Sequence, residues 1–315
     1  MLNRRQLRVK VLQTLYAYHQ AENKELKSFE KALINHIESV NEMYFYTLSL
    51  LILVADYSST DAEDRANKYL PSAEDLDAPT KLNQNLFIDA LRNHPAYLQG
   101  VKDHKVNWNF EPSIDKTIFS LLKAAPEYAS FLQISDHSIA SDKDVINHIF
   151  RKIILKTPAI EQIFEEKFIN WSVDKEVLKG MMAKTLKNFK GTSPQENSLA
   201  PLLQDEQEDR YFVLELLKKT INHQDEYLKL IDTKTTNWDS DRIALMDVLL
   251  MQMAITELVH FKEIPVKVTI NEYIEISKDY STPKSNSFIN GILDKILADL
   301  KKSKQVLKVG RGLLN

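Results

Sequence analysis

Apolar positions recur at helical spacing along most of the chain. From Asn3, a good N-cap residue, Leu7, Val11, Leu15 and Tyr18 return every three or four residues, which predicts a first helix ending near His19. Arg4, Arg5 and Arg8 stand largely off that stripe. A second long pattern covers Leu26 to Val54, followed by a polar, turn-rich stretch divided by Pro71 and Pro79. From there to about Lys190 the spacing predicts short helices. Several are opened by a proline or a polar cap, as at Pro112-Ser113, Pro126-Glu127, Ser141-Asp142 and Pro158. The last of these, Val173 to Phe189, carries Gly180 in its interior, which weakens a helix by about 1 kcal/mol relative to Ala.

The segment Gly191 to Pro201 reads as a linker, and the texture changes beyond it. Helices are predicted over Asp205 to Thr220, Asn222 to Asp232, Asp239 to Phe261, Val266 to Tyr280 and about Lys284 to Lys304. The third of these is apolar nearly all round (Ile243, Leu245, Met246, Leu249, Leu250, Met253, Ile255, Leu258), the signature of a helix at the centre of a bundle. No internal repeat and no strand alternation stands out. The fold class is therefore all-α, with three segments: 1–56, 57–200 and 201–315.

Composition narrows the chemistry. The 315 residues contain 6 Gly and no Cys, which leaves little room for phosphate-cradling loops and excludes disulfides, thiolate metal sites and cysteine nucleophiles. The eight His are scattered without metal-ligand spacing, so no metal and no cofactor is expected. The apolar run Tyr44 to Asp56 is shorter than the roughly 20 residues of a spanning helix, and a buried core helix in a cytoplasmic protein is expected instead. Net charge is −3, unlike the strongly basic balance of many isolated nucleic-acid-binding domains. The charge is nevertheless segregated. Arg4, Arg5, Arg8 and Lys10 open the chain with no acid among the first ten residues. Lys295, Lys301, Lys302, Lys304, Lys308 and Arg311 gather at its end against Asp299, while acids concentrate in Gln204 to Asp209 and between Asp61 and Asp77.

Three short runs carry a resemblance. Ile264-Pro265, then Ile270-Asn271-Glu272, then Phe288-Ile289-Asn290-Gly291-Ile292-Leu293 lie within Asn237 to Leu297, and that segment resembles the C-terminal half of the NusB transcription antitermination factor family. Arg4 to Tyr18 is similar to the family's arginine-bearing first helix. With Asp205 to Asp232 these pieces cover somewhat under half the chain, and 57–200 reads as a helical insertion of unknown role. The resemblance implies a helical bundle of NusB type with two subdomains. It implies a non-catalytic factor that binds boxA-type single-stranded RNA of ribosomal RNA transcripts together with the ribosomal protein NusE, and acts on the RNA polymerase elongation complex indirectly.

On that basis RNA contact is expected at Arg4, Arg5, Arg8, Lys284, Ser285, Ser287, Phe288 and Asn290, and partner contact at Tyr16 and Asp247. Each has a plainer alternative. The arginines could be a solvated helix start, Tyr16 and Phe288 core aromatics, Asn290 a packing residue, and Asp247 half of an internal ion pair. Asn271 and Glu272 suit structural hydrogen bonding better than catalysis, because no second carboxylate or His accompanies them in a recognisable motif. Val248 and Gln252 stand where the family often has arginines, and Lys284 where it usually has an acid, so the RNA surface is expected to be rearranged. Two other functions fit less well: the RNA-docking part of an rRNA-modifying enzyme system, which would need a cofactor loop and a cysteine, and a pure protein scaffold.

Overall fold

A computed structural model describes residues 1–135, 138–235 and 244–313, the side chains of 311 and 312 excepted. Among the described residues the regular structure is helical: α1 (Arg4–Gln20), α2 (Leu26–Ala66), α3 (Ala73–Leu76), α4 (Leu86–Arg92), α5 (Pro95–Asp103), α6 (Ile114–Lys123), α7 (Pro126–Gln133), α8 (Ile139–His148), α9 (Pro158–Lys167), α10 (Trp171–Asn188), α11 (Glu206–Asn222), α12 (Gln224–Asp232), α13 (Leu245–His260), α14 (Val266–Tyr280) and α15 (Ser285–Lys302). The all-α expectation holds. The expected helix start at Asp239, with Ile243, lies outside the described residues, as does the side chain of Arg311.

The chain divides into two compact units, one of residues 38–202 with Met1, the other of residues 2–37 and 203–315. The first holds α3 to α10 and most of α2. Here the sequence reading needs correction: α2 does not stop near Val54 but runs to Ala66, through residues expected to be turn-rich. Its polar last turns stay helical because they gain partners. Asp61 receives Lys123 of α6, and Arg65 reaches Asp75 beyond the helix end. One window of α2 is long and apolar enough to cross a membrane, but 67% of it is buried inside the structure, as befits a core helix.

Proline and polar caps open several of the short helices as expected. Pro126 and Pro158 occupy first-turn positions. In α8 the cap is Ser138, three residues before Ser141, with a reciprocal capping box. A π-helical turn, Ile149–Ile154, follows α8. Gly100 lets α5 close on α2, since a Cβ there would fall 2.0 Å from the ring of Phe45. The segment 191–201 is tied down. Asn197 accepts from the amides of Lys190 and Gly191 and donates to the carbonyls of Gly191 and Ser193, and the Ala200 amide donates to the buried hydroxyls of Tyr44 and Thr185.

In the second unit α13 is the central helix, packed by α1, α11, α12, α14 and α15. Leu249, Leu250, Met251, Met253, Ala254, Ile255 and Leu258 are all fully buried, as its all-round apolarity predicts. The helix α1 begins at the Asn3 capping box and packs most extensively on α11. That packing brings its opening arginines to the other helices of the unit.

Candidate RNA and partner surface

The three arginines of α1 face three different environments. Arg4 donates to Glu208, pairs with Asp209 at 3.1 Å and lies 4.5 Å above the ring of Phe212. Asp209 also accepts the amides of Gln204 and Asp205, so one carboxylate ties the chain entering α11 to that helix and holds Arg4. Arg5 forms a bidentate pair with Glu272 of α14, at 3.0 and 2.9 Å, and stays about half exposed. Those bonds hold the Arg5 guanidinium above its ordinary pKa.

Arg8 departs from the expectation. It is buried, with 2% of its surface exposed, and cannot present a guanidinium to RNA. It donates two bonds to Glu257 of α13, at 2.8 and 2.7 Å, and lies 3.6 Å from Glu272. Glu257 is fully buried and also accepts from Thr269 at 2.8 Å and Tyr273 at 3.1 Å. Burial alone would lower the pKa of Arg8; the charge and hydrogen bonds of Glu257 outweigh it and hold the arginine firmly protonated. The same carboxylate, with burial as the larger cause, pushes the Tyr273 phenol well above its usual value. An ion pair this dry persists only because the oxygens of its carboxylate are all engaged. Sequence reasoning missed Glu257, yet a signal existed: Arg8 lies three and four residues before Val11 and Leu12, so it borders the apolar stripe, and Glu257 is an acid inside the most apolar helix.

The start of α1, the end of α13 and the start of α14 enclose a groove of about 820 Å³. Arg4, Arg5, Glu272, Phe261, Lys262 and Pro265 line it, together with the exposed Tyr211 and Val268.

At the start of α15 the expected residues separate. Lys284 and Ser287 are exposed, and Phe288 and Asn290 are half-buried. Ser285 is buried, contrary to expectation, and donates to Asp247 at 2.8 Å; Ser281 donates to the other oxygen of the same carboxylate. Asp247 is itself buried and accepts from serine hydroxyls, so it does not stand at a free partner surface, and among the described residues it is in no ion pair. It ties α13 to the α14–α15 connection. Tyr16 is exposed on α1 and is therefore not a core aromatic. Gln252, one of the two altered positions of the central helix, is buried and donates to the Gln224 carbonyl; Val248 is half-buried. Both helices that carry the expected surface thus rest on buried polar networks.

Fold and site together define an all-helical protein: a bundle with an ionic core at the start of α1 and a mixed polar and aromatic edge, and among the described residues no cluster able to hold a metal. The NusB family model matches residues 176–298, spanning α10 to most of α15. A transcription antitermination protein NusB of Salinibacter ruber is 42% identical over 112 residues, 36% of this chain and 70% of the relative. The NusB of Chloroherpeton thalassium is 38% identical over 33% of this chain and 49% of the relative, and that of Methylacidiphilum infernorum 39% identical over 30% and 66%. No solved structure matches. The chain belongs to the NusB family, and with that family it is not an enzyme. The match begins at 176, inside the stretch the sequence reading assigned to the insertion, and it leaves α1 uncovered. What ties α1 to the matched helices is its ionic contact with α11, α13 and α14.

Proposed function

We propose that this chain is a cytoplasmic, non-catalytic transcription antitermination factor that binds boxA-type single-stranded RNA together with the ribosomal protein NusE, through the unit built from residues 2–37 and 203–315. The observation that carries the reading is the 42% identity with a transcription antitermination protein NusB. Its RNA-facing residues would be Arg5, Lys284, Ser287, Phe288 and Asn290, all at least partly accessible, with Arg4 available through its exposed edge. Arg8 and Ser285 act instead as supports beneath that face. Tyr16 is the accessible partner contact, and Asp247 would influence a partner only through the loop it anchors. Residues 57–200 form a helical insertion in this scheme, its last part, from residue 176, lying within the family match.

Partly accessible aromatic and amide groups such as Phe288 and Asn290 suit unpaired bases, and the exposed Lys284 suits the phosphates that join them. Binding would be shared, NusE supplying a second RNA surface and raising an intrinsically weak affinity. The test is an RNA gel shift with boxA and scrambled RNAs, with and without NusE. A boxA-specific complex strengthened by NusE supports the reading. No RNA complex in either condition overturns it and leaves the scaffold alternative.

A further inference from the structure

The groove beside α1 holds arginines that are already neutralised. Arg4 faces Glu208 and Asp209, Arg5 faces Glu272, and Arg8 faces Glu257. A cation paired with a carboxylate releases few counterions when a phosphate approaches, because the carboxylate must be displaced first. Electrostatic grip on RNA at this face must come from other cations. Among the described residues, Lys262, Lys267, Lys301, Lys302 and Lys304 are exposed and none is in a salt bridge. Lys262 lines the groove itself. Lys301 and Lys302 end α15, and Lys304 lies just beyond it.

The chain beyond α15 is docked. Lys304 adopts the left-handed conformation (φ 57°), and Gln305 donates back to the Leu300 carbonyl, so the chain turns sharply off the helix. Four residues later the Lys308 ammonium donates to the carbonyls of Glu257 and Phe261, at 3.3 and 3.0 Å, and the Val309 amide donates to the Lys262 carbonyl at 3.0 Å. The last carbonyls of α13 thus receive a lysine, which suits the negative end of the helix dipole. Lys262 is fixed from behind by the tail while its side chain faces the groove. Burial pulls the Lys308 pKa down to about 8, a cost borne for this attachment.

We infer that the C-terminal tail is a strap that completes the RNA-binding face: Lys308 clamps it to the end of α13, and Lys301, Lys302 and Lys304 supply unpaired cations that the arginines of α1 do not. The chemistry it recognises is the phosphate backbone of single-stranded RNA, with no base preference. This role presupposes that the chain binds RNA, so the test must separate the two.

Binding of fluorescent boxA and scrambled single-stranded RNAs is followed by anisotropy over a series of salt concentrations. The proteins are the full chain, a triple variant Lys301→Ser, Lys302→Ser, Lys304→Ser, and a control with the same charge change, Lys24→Ser, Lys27→Ser, Lys31→Ser. All six lysines are exposed, so every variant should fold. For single strands each lost phosphate contact lowers the slope of log K against log salt by about 0.7, so the tail variant should lose roughly 2 from its slope on both RNAs. The control should lose little. Lys308→Gln should weaken RNA binding and, in the same protein, speed hydrogen exchange at the Val309 amide, linking attachment to affinity. If the full chain binds RNA but the tail variant behaves like the control, the strap is overturned while the RNA-binding reading stands. If the full chain binds neither RNA, alone or with NusE added, both fail.

Discussion

The two units are built on different chemistry. Residues 38–202 carry 18 basic and 23 acidic side chains, and their interior is aromatic: Trp171 stacks on Phe164 with centroids 4.7 Å apart, and Trp108 and Tyr46 extend the cluster through Phe164 and Phe168. The other unit has the opposite charge balance and buries a bidentate ion pair between its helices. There α1, α13 and α14 converge on Glu257 through Arg8, Thr269 and Tyr273. Aromatic packing tolerates small shifts, because dispersion contacts are many and weakly directional. A buried bidentate ion pair tolerates almost none, because one misplaced partner leaves a bare charge. The unit with the expected surface is therefore the one whose helix positions are fixed by direction, and Arg5 and Lys262 inherit that precision from Arg8 and Lys308.

The contrast can be tested most forcefully at Glu257. Glu257→Ala leaves Arg8 buried without its carboxylate and should destabilise its unit by about 3–5 kcal/mol. Hydrogen exchange should rise across α1, α13 and α14 far more than across α4 to α10; equal rises in both units would show that they do not unfold separately. Trp171→Ala is the mirror experiment. Loss of its stacking on Phe164 and of its buried volume should cost roughly 3–4 kcal/mol, with exchange rising chiefly in residues 38–202. Asp247→Ala should cost about 1–3 kcal/mol, since the Ser281 and Ser285 hydroxyls lose their shared acceptor. Its effect on NusE binding should appear only with loosening of the 281–285 connection, so weakened binding without faster exchange there would restore Asp247 as a direct contact.

The smallest effect is a titration. Lys308 should titrate near pH 8 by NMR, below the ordinary lysine value of 10.5. Because its folded pKa lies below the unfolded one, the docked tail carries its full penalty below pH 8 and sheds it as pH rises towards 10.5. Tail docking should therefore tighten across that window, and an unshifted titration would mean that the ammonium is not buried at the end of α13.

Much of this protein was legible without coordinates. Apolar spacing predicts α1, α13 and α14 because a helix must bury a stripe, and Asn3, Pro126, Pro158 and Asp205 open helices because they relieve or never need the unpaired amides at a helix start. The runs Ile270-Asn271-Glu272 and Phe288 to Leu293 carried the family. The end of α2 was not legible, since Asp61 and Arg65 take their partners from Lys123 and Asp75, a remote residue and one past a chain reversal. Nor could the sequence sort its own cations. Arg4, Arg5 and Arg8 look alike along the chain, yet their partners arrive from positions about 200 to 270 residues away. Local pattern sets secondary structure because its forces act over a turn or two. Which charge is buried, which is neutralised and which remains for a ligand depends on where distant carboxylates come to lie, and only the packed helices decide that.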